Sequence, residues 1–389
     1  MRLAWDPADE AFREELRTFI DEHCPPEARA GKDFLGGEEQ IIPDWAREWQ
    51  ATLFDHGWMI PGYPPELGGR NATPVQTLIY LEELARQGIP RSVHFGGYAI
   101  VGPSLLEFGN EEQKAMAPAA IRGDTVWCVG MSEPDAGSDL ANLQTRAVLD
   151  GDSFIVNGQK VWTSYATVAE KCFCYVRTNP TVPKHKGISV LIIDLDSPGV
   201  EVRPLRQING GAEFAEVFFT DVVVPAKNLV GGLDDGWRIT MGSLAHERGG
   251  LWVEGVFGCQ RALEGLIDLA RRRGLADDPG VRRRLAAAYE RVASLKALGY
   301  KGFASFAQGS SAPEHSYMKL ATAELRRELF ELGMDLQGPY GAVVDPAFTE
   351  ERARWQQGFF VGLAANIGGG TSEIQRNTVA TRVLGLPKG

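Results

Sequence analysis

VGMSEPDAGSDLANLQTRAVLDGDSFIVNGQKVWTS, running from Val129 to Ser164, is the stretch from which the rest of the chain can be read. It places Ser132, Gly137 and Ser138 beside Asp139 and Asn142. The dipeptides Asp150-Gly151 and Asn157-Gly158 follow, and both supply the positive φ values of tight turns, so the spacing predicts two β-hairpins. Trp162 then comes with hydroxyls around it at Thr163 and Ser164. The residues alone leave two readings open. One is a Gly/Ser-rich turn region of a β-domain. The other is a row of backbone and hydroxyl donors beside one aromatic face, as a flat, hydrogen-bonding ring would require.

Working outward, the pattern is helical, then extended, then helical. Asp6-Pro7 predicts a helix start before Phe12, Leu16, Phe19 and Ile20 at helical spacing, with a stop at Pro25-Pro26. Thr73-Pro74 opens another helix with Leu78, Leu81 and Ala85 on one stripe and Gly88 at its end. From Val126 to Val230 the period becomes two, in runs such as Ile188–Ile193 and Val217–Phe219. After Gly236 long helical patterns return. This predicts three domains: 1–122 all-α, 123–232 β and 233–389 all-α, an α+β chain. There is no GxGxxG after a strand, no GxxxxGK[ST] and no strand–helix alternation, which argues against Rossmann and P-loop nucleotide sites.

Composition narrows the function classes. The 389 residues are 44% hydrophobic and 23% charged, ordinary for a globular chain. A net charge of −11 argues against nucleic-acid and anionic-membrane partners, while leaving room for a local basic patch facing a phosphate-bearing substrate. Five cysteines without a CxxC pair read as reduced, buried thiols. No metal site is expected: His246-Glu247 opens like a zinc HExxH, but Gly250 stands where the second histidine belongs. No apolar leader or 18-residue apolar run is present, so a cytoplasmic location is expected.

The Val129–Ser164 stretch resembles the flavin- and substrate-binding segment of the acyl-CoA dehydrogenase family. GGGTSEIQRNTVATRVLGLP, Gly368 to Pro387, is similar to that family's closing motif, and the resemblance extends over essentially the whole chain. It implies an N-terminal helical domain, a middle β-barrel-like domain and a C-terminal four-helix bundle. It also implies FAD as cofactor, an acyl-CoA thioester as substrate and an electron-transferring flavoprotein as acceptor. The oligomer implied is a homotetramer, or a heterotetramer with a paralogue. The reaction is α,β-desaturation, which needs a base for the α-proton, an acceptor facing the β-carbon, and donors for the charge developing on the thioester oxygen.

By the same resemblance Val129, Met131 and Ser132 meet the flavin ring, partly through backbone groups. Ser138 meets substrate or flavin, Trp162 stacks near the ring and Ser164 reaches its N5 edge. Thr371 and Glu373 touch the nucleotide or ribityl part, and Gly338 admits a neighbouring subunit's flavin, although Gln337 replaces the family's usual second glycine. Most members carry a catalytic Glu immediately before the Gly-Thr of the closing motif, where this chain has Gly369. The segment Leu244–Gly249 resembles the helix from which the isovaleryl and long-chain branches deliver their base, which assigns it to Glu247. Gly369 would keep its N–H for the thioester oxygen, and Arg248 would lie on the substrate side.

Bland readings compete with these: Glu247 and Arg248 as charges on a solvated helix, and Arg271–Arg273 with Arg282–Arg284 as solvated faces. At the level of the whole protein the alternatives are one half of a heteromer for steroid or other bulky acyl-CoA, an oxidase or monooxygenase on the same fold, and a non-enzymatic helical scaffold. Substrate choice is expected around Val93 to Ile100 and on the helix carrying Trp252.

Overall fold

Two helix starts form where capping chemistry places them. Asp6 Oδ1 accepts the N–H of Ala8 at 3.1 Å ahead of α1 (Pro7–His23). Thr73 and Gln76 exchange hydrogen bonds of 3.2 and 3.0 Å ahead of α4 (Pro74–Gln87), which ends at Gly88 with φ +73°. The computed structural model describes residues 6–29, 42–92, 95–243, 251–308 and 314–387. The chain divides into two compact units, one drawn from Glu14–Thr77 and Pro90–Glu247, the other from Met1–Arg13, Leu78–Ile89 and Arg248–Gly389.

The first unit holds the short helices α2 (Pro26–Arg29), α3 (Asp44–Asp55), α5 (Gly102–Phe108), α6 (Glu111–Lys114) and α7 (Ala117–Arg122), then the sheet, then α8 (Gly236–Ser243). The strands are β1 (Trp127–Gly130), β2 (Arg146–Asp150), β3 (Ser153–Ser164), β4 (Lys171–Arg177), β5 (Ile188–Asp194), β6 (Val200–Leu205), β7 (Phe214–Pro225) and β8 (Leu229–Val230). They pair in the order β6-β7-β3-β2-β4-β5-β8, with β1 parallel on β4. Cys128, Cys172 and Cys174 are buried beside Phe154, Val156, Leu191, Val217 and Phe219, so these thiols pack as core hydrophobes.

One hairpin signal is right and the other is not. Asp150-Gly151 turns β2 into β3, with Gly151 at φ +61°. Asn157-Gly158 lies inside β3, where the register against β7 shifts, so it marks a bulge and not a second hairpin. The reason is packing from both sides. A Cβ on Gly158 would come within 2.5 Å of Thr145 Oγ1, and the Asn157 side chain bonds Asp221 across the sheet at 2.9 and 3.0 Å.

In the second unit α9 (Leu251–Arg272), α10 (Pro279–Ala307), α11 (Glu314–Leu336) and α12 (Arg354–Ala365) pack on one another, and α13 (Ser372–Thr378) lies on α11. Three glycines receive aromatic rings between these helices. A Cβ on Gly299 of α10 would fall 2.2 Å from the Trp252 ring, one on Gly333 of α11 2.2 Å from Trp355, and one on Gly358 of α12 2.1 Å from Phe330. The arginine runs of α9 and α10 are surface ion pairs: Arg271 meets Asp268, Arg272 meets Glu351, and Arg284 meets Asp335. Among the described residues no helix is long and apolar enough to cross a membrane, and no group of acidic, His or Cys side chains could hold a metal ion.

Candidate active site

The candidate residues fall in two segments, one in each unit, and each segment is built by a different device. On the sheet, β1 delivers Val129 and Gly130 into a turn, Met131–Ser132–Glu133, that is fastened to β3. Lys160 Nζ donates to Met131 O at 3.1 Å and to Glu133 Oε1 at 2.8 Å, and Val161 N–H donates to Ser132 O at 3.0 Å. The Lys160 side chain is 0% exposed and that of Glu133 7%. Glu133 also accepts the N–H groups of Gln144 and Thr145 at 2.6 and 2.9 Å, so both carboxylate oxygens are used. Burial alone would raise the Glu133 carboxyl, but the Lys160 ammonium and these donors outweigh it and hold the group below its ordinary value.

Arg177 performs a similar task from the end of β4 in the same sheet. Its guanidinium, 7% exposed, donates to the carbonyls of Ala141 at 2.5 Å and Leu143 at 3.2 Å, and to that of Lys184. This ties the turn after Ser138 to the Lys184–Lys186 turn, where the Lys184 ammonium meets Asp139. Ser138 itself is exposed on that turn.

The far end of β3 presents the aromatic face. Register against β7 breaks between Lys160 and Thr163, and Trp162 takes φ +59°, a conformation uncommon for a bulky side chain. The bulge turns Trp162 out of the sheet, 59% exposed, with its ring edge-on to Phe214 at 6.0 Å. Ser164 is exposed two residues on, while Thr163 Oγ1 is buried without a hydrogen-bond partner among the described residues.

In the second unit the closing motif forms a left-handed turn, Gly369 at φ +64° and Gly370 at φ +89°, into the N-terminus of α13. Thr371 caps that helix by accepting the Ile374 N–H at 3.2 Å. Lys319 Nζ of α11 donates to Gly370 O at 2.6 Å, and Gln375 Nε2 to Gly369 O at 3.0 Å. Burial lowers the Lys319 ammonium, opposed by Glu373. The exposed Glu373 carboxyl is lowered by its own backbone N–H and by Thr371. No carboxylate stands at position 369, and among the described residues a Cβ added there would meet Lys319 Cε, at 3.9 Å.

Gly338 has φ +58°, and no described residue comes within 4 Å of where a Cβ would be. The neighbouring Gln337 is 1% exposed and donates to Gly333 O at 3.0 Å, so this departure from the family's glycine serves the helix interior. Within the stretch expected to line the substrate, Gly97–Val101 forms a π-helical turn, a distortion frequent at functional sites. Glu247 and Arg248, with Val93 of the expected cavity floor, lie outside the described residues.

Sequence reading missed Lys160, Glu133, Arg177 and Lys319. Lys160 carried a signal: a lysine on the buried face of a strand is almost never unpaired. Its partner could not be named without the fold.

Each segment has its own binding chemistry. The sheet offers amide N–H groups, hydroxyls and an exposed indole, and the closing turn offers a helix N-terminus, which favours anionic groups. With the helix–sheet–helix order, each segment separately is compatible with the class the family comparison gives, the FAD-dependent oxidoreductases. Family models agree along the chain: acyl-CoA dehydrogenase N-terminal domain over residues 6–124, middle domain over 128–222, and C-terminal domain over 234–384. The chain therefore belongs to the acyl-CoA dehydrogenase family, FAD-dependent flavoproteins that oxidise CH–CH bonds.

Acyl-CoA dehydrogenase IpdE1 of Mycobacterium tuberculosis is 39% identical over 381 residues, covering 97% of this chain and 98% of its own. The Tcur3481-Tcur3483 steroid ACAD structure has a TM-score of 0.86 at 31% identity over 100% of both chains. The ChsE4-ChsE5 complex from Mycobacterium tuberculosis has a TM-score of 0.82 at 32% identity, again over 100% of both.

Proposed function

We propose that the protein catalyses α,β-dehydrogenation of an acyl-CoA thioester to the trans-2-enoyl-CoA, with Glu247 as the base. The carrying observation is the closing turn. Its glycine at 369 leaves no carboxylate where most members of the family carry one, and its carbonyl accepts from Gln375 while Lys319 holds the next carbonyl, that of Gly370. A base must then arrive from elsewhere, and Glu247 is the residue whose sequence setting fits.

The Gly369 N–H donates to the thioester oxygen, which strengthens as charge develops there. Glu247 takes the α-proton, and Ser138 with Arg248 orients the substrate. FAD, when bound, accepts the hydride from the β-carbon. Val129, Met131, Ser132, Trp162 and Ser164 hold its ring, and Thr371, Glu373 and a neighbouring subunit's Gly338 hold its other end. An electron-transferring flavoprotein is the proposed electron acceptor, and the cytoplasm the proposed location.

The relatives favour a bulky substrate and a mixed oligomer. One similar structure is the Tcur3481-Tcur3483 steroid ACAD and another is the ChsE4-ChsE5 complex. This chain, with Glu247 and an intact flavin segment, would be the catalytic member of such a pair with a paralogue, or would form a homotetramer.

The test is anaerobic flavin bleaching by a panel of acyl-CoA thioesters, with Glu247→Gln beside the wild type. The near-isosteric amide cannot accept the proton, so the bleaching rate should fall by about 10²–10⁴ while FAD content is kept. Adding Gly369→Glu should restore part of it, only part because position 369 has φ +64°. Wild-type bleaching by Glu247→Gln would refute the assignment.

A further inference from the structure

The buried Lys160–Glu133 pair is more than a structural brace. We propose that Lys160 is a positioning and tuning residue for the flavin, acting through the peptide unit between Met131 and Ser132. This rests on the reading of Ser132 as a flavin contact.

The peptide bonds of the described chain are trans, so the Met131 C=O and the Ser132 N–H of one peptide unit point in opposite directions. Lys160 reaches the carbonyl at 3.1 Å from the β3 side. The following carbonyl, Ser132 O, is held on the same side by Val161 N–H at 3.0 Å, and the Glu133 N–H is spent on Ala136 O at 3.0 Å. The Ser132 N–H therefore faces away from β3. An ammonium on the oxygen end of an amide polarises it, and hydrogen bonds in series strengthen one another, the more so in a buried setting. The Ser132 N–H becomes a stronger donor on the face assigned to the flavin ring.

The position of the ammonium is over-determined. The Lys160 stem lies against Gly130, where a Cβ would meet its Cγ at 3.3 Å and the thiols of Cys172 and Cys174 at 3.0 and 3.3 Å. Glu133, fixed by two backbone N–H groups, anchors the other side of the ammonium. A stronger donor at the electron-rich edge of a flavin stabilises the added electrons, so removing the ammonium should lower the reduction potential.

Two variants test this in the FAD-loaded protein. Lys160→Met with Glu133→Gln removes both charges together, and the amide oxygen can still accept a backbone N–H that Glu133 accepts. It should keep the fold by circular dichroism and bind FAD about tenfold more weakly. Its two-electron reduction equilibrium should shift about tenfold towards the oxidised form, or about 30 mV. Glu133→Gln keeps the ammonium without its counter-charge, so its potential should move the opposite way.

Unchanged potentials in both variants would overturn the inference. Weaker FAD binding at an unchanged potential would do so too, since a displaced turn alone produces that. Shifts of the same sign in both variants would also overturn it. Wild-type protein that binds no FAD would instead remove the flavin reading itself.

Discussion

The two candidate segments, one in each unit, are anchored in opposite ways. The sheet segment is fixed by charges withdrawn from water: Lys160 with Glu133, and Arg177 on three carbonyls. The closing turn is fixed at the surface by a half-buried lysine, a glutamine and a threonine cap. A buried pair is costly to break because the survivor keeps its charge without a partner, whereas a surface anchor is replaced by water. The sheet segment should therefore behave as an all-or-none platform and the closing turn as an adjustable one.

Breaking the pair on one side gives the largest expected effect. Lys160→Ala should destabilise the protein by about 3–5 kcal/mol in urea unfolding, well beyond the double replacement of both partners. A loss as small as that of the double variant would place the pair in the surface class.

Acid should separate the two segments next. The Glu133 carboxyl is lowered in the folded protein, so its contribution is fully present above its ordinary value of 4.5 and drains away as pH falls through the lower folded value. The stability gap between wild type and Glu133→Gln should close below about pH 4.5, at no more than about 1.4 kcal/mol per pH unit for one proton. A gap that stays constant down to pH 3 would mean that Glu133 gains nothing from its charge.

The smallest effect belongs to the turn. Thr371→Ala removes the cap of a seven-residue helix and should cost about 1 kcal/mol, with the urea midpoint slightly reduced. A cost matching that of Lys160→Ala would erase the contrast.

What the sequence revealed follows the range of the interactions involved. Asp6 and Thr73 announce helix starts because a cap spans only two or three residues. Gly151 announces its turn for the same reason. Asn157-Gly158 has the same local chemistry, yet its partners are Thr145 and Asp221, and no dipeptide rule sees those. Lys160 and Glu133 are 27 residues apart, and Lys319 and Gly370 are 51 apart. Both anchors came into view only with the fold. Gln337 read as a departure from a glycine pattern, while its side chain works in the helix interior.

The aromatic-in-glycine contacts of α9 to α12 carry a consequence for how the helical unit can change. Trp252 in Gly299, Trp355 in Gly333 and Phe330 in Gly358 act as keys in slots. A helix slid by one residue would drive a ring into a side chain, so each contact forbids neighbouring registers as well as favouring its own. Two of the three join α11 and α12 in opposite directions, the ring on α12 in one and on α11 in the other. Drift at such a site has to change ring and glycine together, which leaves variation in this unit to the positions between the keys.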